Sequence, residues 1–386
     1  MGTTIYIVRH AEAEGNLWRR AHGWYDGRLT VNGCAQAEAL GRRMRDMKVD
    51  AIYSSDLTRT LDTIAPAARE LGLEVVREPR LREFQMGKWE NEPWAALRRI
   101  DPEMIANYAR TPDWRAPGAE SFSELYRRTG EALREITEQH AGGAVCLVTH
   151  AVAARTLFMR MIGSGLADSA RDFGGASYVP NASISAFEYD GTAFHTIFFG
   201  ESGHTANIPT FYARRPAGYT SLNPELWFRS AVTRQDVERA ADAWQDSWLA
   251  VYGSVENFSP YAAQTEFFRI HTADRDAIRF AMLGEDEAGV LVIDPTNRRV
   301  PECAHISLLM LHERFRGCGL ASQLIGEAAA QAVRMGRSGL RLRVAECNDR
   351  AIALYRRNGF EIDGEEQGSE SMQFTMRRSV NIGIVV

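Results

Sequence analysis

Apolar positions along the chain follow two recurring patterns. Short runs rich in β-branched residues come first. Stretches 5–8, 51–53 and 144–148 are apolar and end in polar residues, as buried strands do. Between them apolar residues recur at helical spacing. Ala37, Leu40, Met44 and Met47 share one helical face. Leu57, Leu61, Ile64, Ala68 and Leu71 share another, and Gly72 supplies a stop. Ser121-Phe122-Ser123-Glu124 has capping-box spacing and opens a helix carrying Leu125, Leu133 and Ile136. Alternation over 182–189 predicts one more strand, at a sheet edge. Strands alternating with helices predict an α/β architecture, a mainly parallel sheet covered on both faces.

Periodicity lapses after residue 200. Gly203, Pro209, Pro216 and Gly218 mark 201–223 as a linker, while Phe211, Tyr212 and Tyr219 imply that it is packed. A second pattern then begins. A helix is expected over 234–252, with Val237, Ala241, Trp244 and Trp248 on one side. Strands are expected at 288–293, 304–311, 340–344 and 372–376, and helices at 320–335 and 350–358. The expected organisation is one domain over 1–200, a linker, and a second domain over 224–380, without an internal repeat.

Composition narrows the class. At 386 residues there is room for two or three domains. With 45% hydrophobic and 25% charged residues, a wholly disordered, collagen-like or coiled-coil chain is excluded. A formal net charge of −5 argues against nucleic acid as a general partner. The five cysteines, Cys34, Cys146, Cys303, Cys318 and Cys347, form no CxxC pair, which fits a reducing compartment and neither a disulfide framework nor a zinc ribbon. No apolar run approaches the roughly 18 residues of a membrane span, and no signal peptide is visible. A soluble cytoplasmic protein is expected, with no membrane partner and its oligomeric state open.

Each of the first three strand runs ends in reactive side chains. Stretch 5–8 runs into Arg9-His10, 51–53 into Ser54-Ser55-Asp56 with Arg59 beyond, and 144–148 into Thr149-His150. Ligands of open α/β sheets bind outside the carboxyl ends of the strands, so two histidines and two arginines converge there. Guanidinium groups grip tetrahedral phosphate, and neutral imidazole is a nucleophile. Singly, each residue would pass as a structural histidine or a solvated charge. In this order, the segments Arg9-His10-Ala11-Glu12 with Asn16, Ser54-Ser55-Asp56-Leu57-Thr58-Arg59-Thr60, Leu81-Arg82-Glu83 with Gly87-Lys88-Trp89-Glu90, and Thr149-His150 resemble the histidine phosphatase superfamily, with its phosphoglycerate mutase-like three-layer αβα fold.

The resemblance implies that His10 attacks phosphorus. Arg9, Arg59 and His150 would hold the phosphoryl oxygens, Asn16 would touch phosphate at the pocket wall, and Glu83 would protonate the leaving oxygen, with Glu90 and Glu92 as competitors. No metal or other cofactor is implied. The substrate would be a small phosphate ester. Ala11 stands where the family usually has Gly, a penalty if the position needs positive φ. Gly23-Trp24-Tyr25-Asp26 fits mutases and phosphatases alike, but the stretch from Glu83 to His150 is shorter than mutases carry, which favours hydrolysis.

In the second half, Arg316-Gly317-Cys318-Gly319-Leu320-Ala321 follows a strand and opens a helix, a turn that can cradle a diphosphate. Downstream, Asn348-Asp349-Arg350-Ala351-Ile352-Ala353-Leu354-Tyr355-Arg356-Arg357-Asn358-Gly359-Phe360 completes a pattern that resembles the GNAT acetyltransferases, an α+β fold. The resemblance implies acetyl-CoA as cosubstrate and a small-molecule or peptide amine as acceptor. Leu309 and Leu311 would bind the pantetheine arm through main-chain groups, residues 316–321 the pyrophosphate, and Asn348 the region near the pantetheine. Tyr355 would protonate the departing thiolate. Glu302, His305 and Ser307 are candidates for the base. A bifunctional enzyme is expected; a phosphoglycerate-type mutase, or a phosphatase regulated by an acetyl-CoA-sensing second domain, are the alternatives.

Overall fold

The computed structural model describes residues 2–100, 102, 111–166, 179–209, 224–297 and 299–380. Two sheets organise them. The first contains β1 (Thr3–Arg9), β2 (Ala51–Ser54), β3 (Val75–Arg77), β4 (Ala144–Thr149), β5 (Ile184–Tyr189) and β6 (Phe194–Glu201), in the order β3-β2-β4-β1-β5-β6. The first four strands run parallel, and β5 and β6 add antiparallel. The strand read from 182–189 is therefore not at the edge, because β6 covers its outer side. Most of β6 is exposed or half-exposed, so its apolar residues leave no alternating signal.

Helices α1 (Glu14–Trp18), α2 (Val31–Met44), α3 (Thr58–Leu71), α4 (Trp94–Ile100), α5 (Phe122–Gln139) and α6 (Ala151–Met161) accompany this sheet. Side-chain alternation assigns the two faces. Ile5, Ile7, Val145 and Leu147 join a core with Leu133 and Leu157 of α5 and α6. Val8, Cys146 and Val148 join another with Leu40 and Ile64 of α2 and α3. The unit is a three-layer αβα sandwich. The capping box at Ser121 forms as read, with Ser121 Oγ accepting the Glu124 N–H and the Glu124 carboxylate accepting the Ser121 N–H.

The second sheet contains β7 (Trp227–Ser230), β8 (Ile278–Leu283), β9 (Asp286–Asp294), β10 (Cys303–Leu311), β11 (Gly339–Ala345), β12 (Glu361–Gln367) and β13 (Met372–Ser379), ordered β12-β13-β11-β10-β9-β8-β7. Its helices are α7 (Arg234–Tyr252), α8 (Pro260–Ala273), α9 (Ala321–Arg334) and α10 (Asp349–Arg357). The β10–β11 pair is parallel and runs only from Cys303 opposite Gly339 to Ile306 opposite Leu342. The β10–β9 register shifts between Ile306 and Leu308, and a shift of this kind bends a strand. Beyond it β10 and β11 part and leave a cleft.

The described part of the stretch after β6, through residue 209, packs back on the first unit. His204 Nε2 lies 2.9 Å from the Ala182 carbonyl, and the Asn32 side-chain amide donates to the Pro209 carbonyl. Phe211, Tyr212 and Tyr219 lie outside the described residues.

The two units share a core. Leu17, Trp18 and Tyr25 join Ile325, Ala328, Ala329 and Ala332 of α9 in one apolar cluster. A Cβ at Gly326 would come within 2.6 Å of Trp18, so only glycine lets α1 approach α9 this closely. Beside it Arg20 Nη1 pairs with Glu327 Oε2 at 3.0 Å, the side chains 1% and 4% exposed. Arg279 and Arg334 also reach Glu327, and Arg378 pairs with Glu14. Among the described residues no helix is long and apolar enough to cross a membrane.

Candidate functional site

The carboxyl ends of β1, β2 and β4 bring Arg9-His10, Ser54-Ser55 and Thr149-His150 to one place. The rings of His10 and His150 have centroids 5.2 Å apart. His10 Nδ1 lies 2.7 Å from the Ala11 carbonyl oxygen. A carbonyl only accepts, so Nδ1 carries the proton and Nε2 keeps the lone pair. Burial, reinforced by Arg59 and Arg9, holds the His10 pKa well below its ordinary 6.5. The ring is neutral at physiological pH, with the Nε2 lone pair available. Ala11 is fully buried and is not among the positive-φ residues, so its methyl group brings no backbone strain.

Arg59 stands in the first turn of α3 and is fully buried. Nη1 donates to the Tyr25 carbonyl at 2.8 Å, Nη2 to the Gly23 carbonyl at 2.7 Å, and Nε to His150 Nδ1 at 3.1 Å. His150 Nδ1 is therefore an acceptor, and its Nε2–H donates to Ser55 Oγ at 2.9 Å. Arg59 fixes the His150 tautomer while remaining charged, its pKa brought down by burial to about 10. Arg9, also buried, donates from Nη1 to the Val179 carbonyl at 2.6 Å.

The three competing carboxylates separate by position. Glu83 Oε2 accepts the Val152 N–H and Oε1 the Ala153 N–H, both at 3.0 Å, in the first turn of the helix that begins after His150. Glu90 accepts the N–H groups of Gly23, Trp24, Tyr25 and Met86 and braces a loop. Glu92 is half-buried and feels Arg20 and Glu327 at the boundary between the units. Arg128 and the Trp24 indole both donate to the Glu83 carbonyl at 2.8 Å and hold that segment. Asn16 lies on α1, its Oδ1 accepting the Ala13 N–H at 3.0 Å.

Two residues of this site escaped the sequence reading. His22 has its ring centroid 6.2 Å from that of His10, and burial holds its pKa well below 6.5. Its buried Nε2 has no hydrogen-bond partner among the described residues. Asn181 Nδ2 donates to the His10 carbonyl at 2.9 Å. Both belong to irregular segments, where a lone polar residue carries no periodic signal.

In the second unit the splayed strands open on a cleft of about 260 Å³. Leu309, Asn348 and Tyr355 line it, as do two of the three base candidates, His305 and Ser307. Glu302 does not; it is exposed, with Arg377 at 3.9 Å. Tyr355 is buried, which pushes its pKa up to about 12, so the hydroxyl keeps its proton. Burial drives His305 down to about 4, so the imidazole is neutral. Asn348 caps α10 through the Ala351 N–H, so its Oδ1 already has a partner. Gly317 and Gly319 have φ of +76° and +79°, which side chains rarely adopt, and the start of α9 that follows has no side-chain cap. Arg316 Nε folds back on the Leu311 carbonyl at 2.8 Å, so that carbonyl is occupied.

The family model of the histidine phosphatase superfamily (branch 1) matches residues 5–201, and that of the acetyltransferase (GNAT) family matches 239–360. The chain belongs to the histidine phosphatase superfamily and carries a GNAT acetyltransferase domain in its second half. Proteins named "Probable phosphoglycerate mutase GpmB" from Yersinia pestis (strain Pestoides F) and Yersinia pseudotuberculosis serotype O:1b (strain IP 31758) are each 38% identical to it over 160 residues, 41% of this chain and 74% of theirs. Of solved structures, Bacillus stearothermophilus YhfR aligns at 31% identity and a TM-score of 0.49, covering 53% of this chain and 99% of its own. A mycobacterial glucosyl-3-phosphoglycerate phosphatase aligns at 21% identity and a TM-score of 0.48, covering 52% and 100%.

Proposed function

We propose that the chain is a bifunctional enzyme: a phosphomonoesterase acting through phospho-His10, joined to an acetyl-CoA-dependent N-acetyltransferase. The observation that carries the first half is the 2.7 Å bond from His10 Nδ1 to the Ala11 carbonyl, which leaves Nε2 free beside Arg59 and His150. Nε2 forms a bond to phosphorus as the ester P–O bond breaks. Arg9, Arg59 and the amide nitrogen of Asn16 hold the phosphoryl oxygens, and His150 turns its Nε2–H from Ser55 to join them. Glu83 gives the leaving oxygen its proton. It accepts three N–H bonds as a carboxylate, including that of Phe84. A phosphate ester that enters as its monoanion brings the proton that Glu83 passes on. Water then attacks phosphorus, returns a proton to Glu83 and frees His10.

The name borne by the 38%-identical relatives favours a second reading, phosphoryl transfer between hydroxyls of a phosphoglycerate. Incubation with labelled phosphoglycerates decides between them. Free phosphate is the expected product; isomerised ester without phosphate release overturns hydrolysis.

For the second domain, the Gly317 and Gly319 turn, the uncapped α9 start and the free β10 edge at Leu309 fit a thioester cosubstrate with a diphosphate. Acetyl-CoA supplies an activated acetyl group. The amine attacks the thioester carbonyl in its neutral form; as the C–S bond breaks, His305 takes the proton shed by the new amide nitrogen and Tyr355 gives one to the departing sulfur. Tyr355→Phe is expected to lower acetyl transfer with little change in acetyl-CoA affinity. Calorimetric binding of acetyl-CoA with no acceptor consumed would instead favour a sensor.

A further inference from the structure

The cleft that holds His305 and Tyr355 also has a wall that neither the phosphatase nor the thioester uses. Trp244, Trp248 and Tyr252 lie four residues apart on α7, so they form one stripe, and all three line the cleft. None of them is buried. Other rings hold them in place. Trp244 stacks on Phe267 with centroids 5.1 Å apart and planes 9° apart, and Trp248 packs 4.8 Å from Tyr252 and 5.5 Å from Phe258. A pre-set aromatic wall loses little freedom when an apolar ligand lies on it.

The charges around this wall are already spent on one another. Glu266 and Asp294 also line the cleft, but Arg269 Nη2 binds both, at 2.6 and 2.8 Å. Asp294 further accepts the N–H and hydroxyl of Thr296, at 2.9 and 2.7 Å. Among the described lining residues, both carboxylates are thus already paired with a guanidinium, which disfavours a second ammonium. Arg343, the arginine among the described lining residues, is exposed with Glu366 at 3.8 Å, so a phosphate on the acceptor would meet a solvated, partly neutralised guanidinium beside two carboxylates.

We propose that the acetyl acceptor is a monoamine on an aromatic or bulky apolar body, lying on Trp248 and its neighbours with its nitrogen at His305. This rests on the acetyltransferase reading of the same cleft. It excludes polyamines and phosphorylated amines as preferred acceptors.

The test uses the full chain. Calorimetry with acetyl-CoA comes first; absence of binding overturns the acetyltransferase reading and this inference with it. With binding established, thiol release is followed with phenethylamine, tryptamine, spermidine and phosphoethanolamine. The aromatic amines are expected to exceed the other two in kcat/KM by about tenfold or more, the scale set by one well-filled apolar contact. Bound acetyl-CoA with spermidine or phosphoethanolamine preferred, or with neither aromatic amine consumed, overturns the acceptor assignment alone. Trp248→Ala is expected to raise KM for tryptamine about tenfold with acetyl-CoA affinity unchanged, and Trp248→Phe to recover most of it. An unchanged KM in Trp248→Ala also overturns it.

Discussion

His10 shows how one short hydrogen bond decides a residue's chemistry. Its Nδ1 proton points at the Ala11 carbonyl, and burial keeps the ring uncharged. His10→Ala is expected to abolish phosphate release and any acid-labile phosphoenzyme while leaving acetyl-CoA binding intact; labelled phosphoenzyme persisting in the variant would remove His10 from the role. The direction of the shift also fixes a pH dependence. A neutral ring is needed for attack and its pKa lies below 6.5, so the acid limb of phosphatase kcat/KM is expected below pH 6.5. Stability moves with it. His10, His22 and His150 are all depressed in the folded chain. Above pH 6.5 both states are neutral and these groups contribute nothing to the difference. As pH falls through 6.5 the unfolded chain takes up protons that the folded chain refuses, and stability is lost. Thermal melts from pH 7 downward are expected to show a falling Tm, and a rising one would contradict the buried neutral imidazoles.

Among elements, α1 does the most with the fewest residues. It follows the His10 segment, carries Asn16 and places Trp18 against α9. Gly326→Val is expected to lower stability by about 1–3 kcal/mol through overpacking against Trp18, read by denaturant melts. Nothing in the sequence announces this element. Five residues are too few for a period, and it is held by docking against a helix some 300 residues away. The reactive strand ends were legible, because 5–8 and 144–148 are unbroken apolar runs that stop at polar residues. Elsewhere the pattern was silent. β12 reads Glu361-Ile362-Asp363-Gly364-Glu365-Glu366-Gln367, an edge strand that is mostly exposed and shows no apolar alternation. The sequence put Glu83 first through the family resemblance, but Glu90 and Glu92 share its chemistry and stayed as competitors. The fold sets Glu83 at the first turn of α6, next to His150, and the other two elsewhere.

At the scale of the whole molecule, the Arg20–Glu327 pair ties the units across 307 positions of sequence. Glu327→Ala would leave Arg20 buried without its carboxylate, a loss of about 3–5 kcal/mol for a buried pair broken on one side. Calorimetry of the intact chain is expected to give one unfolding transition, and Glu327→Ala two, as the units come apart. Two transitions in the intact chain would show that the shared core is too weak to couple them. The seam at Trp18 and Gly326 also bears on how such a chain can be inherited. A recombination event in the connector would hand one product an indole with no cover and the other a bare groove shaped for it. Neither half is then a ready-made module for shuffling into new contexts. A change of the ring at position 18 is therefore expected to need a matching change at position 326, so the two units vary together at this seam.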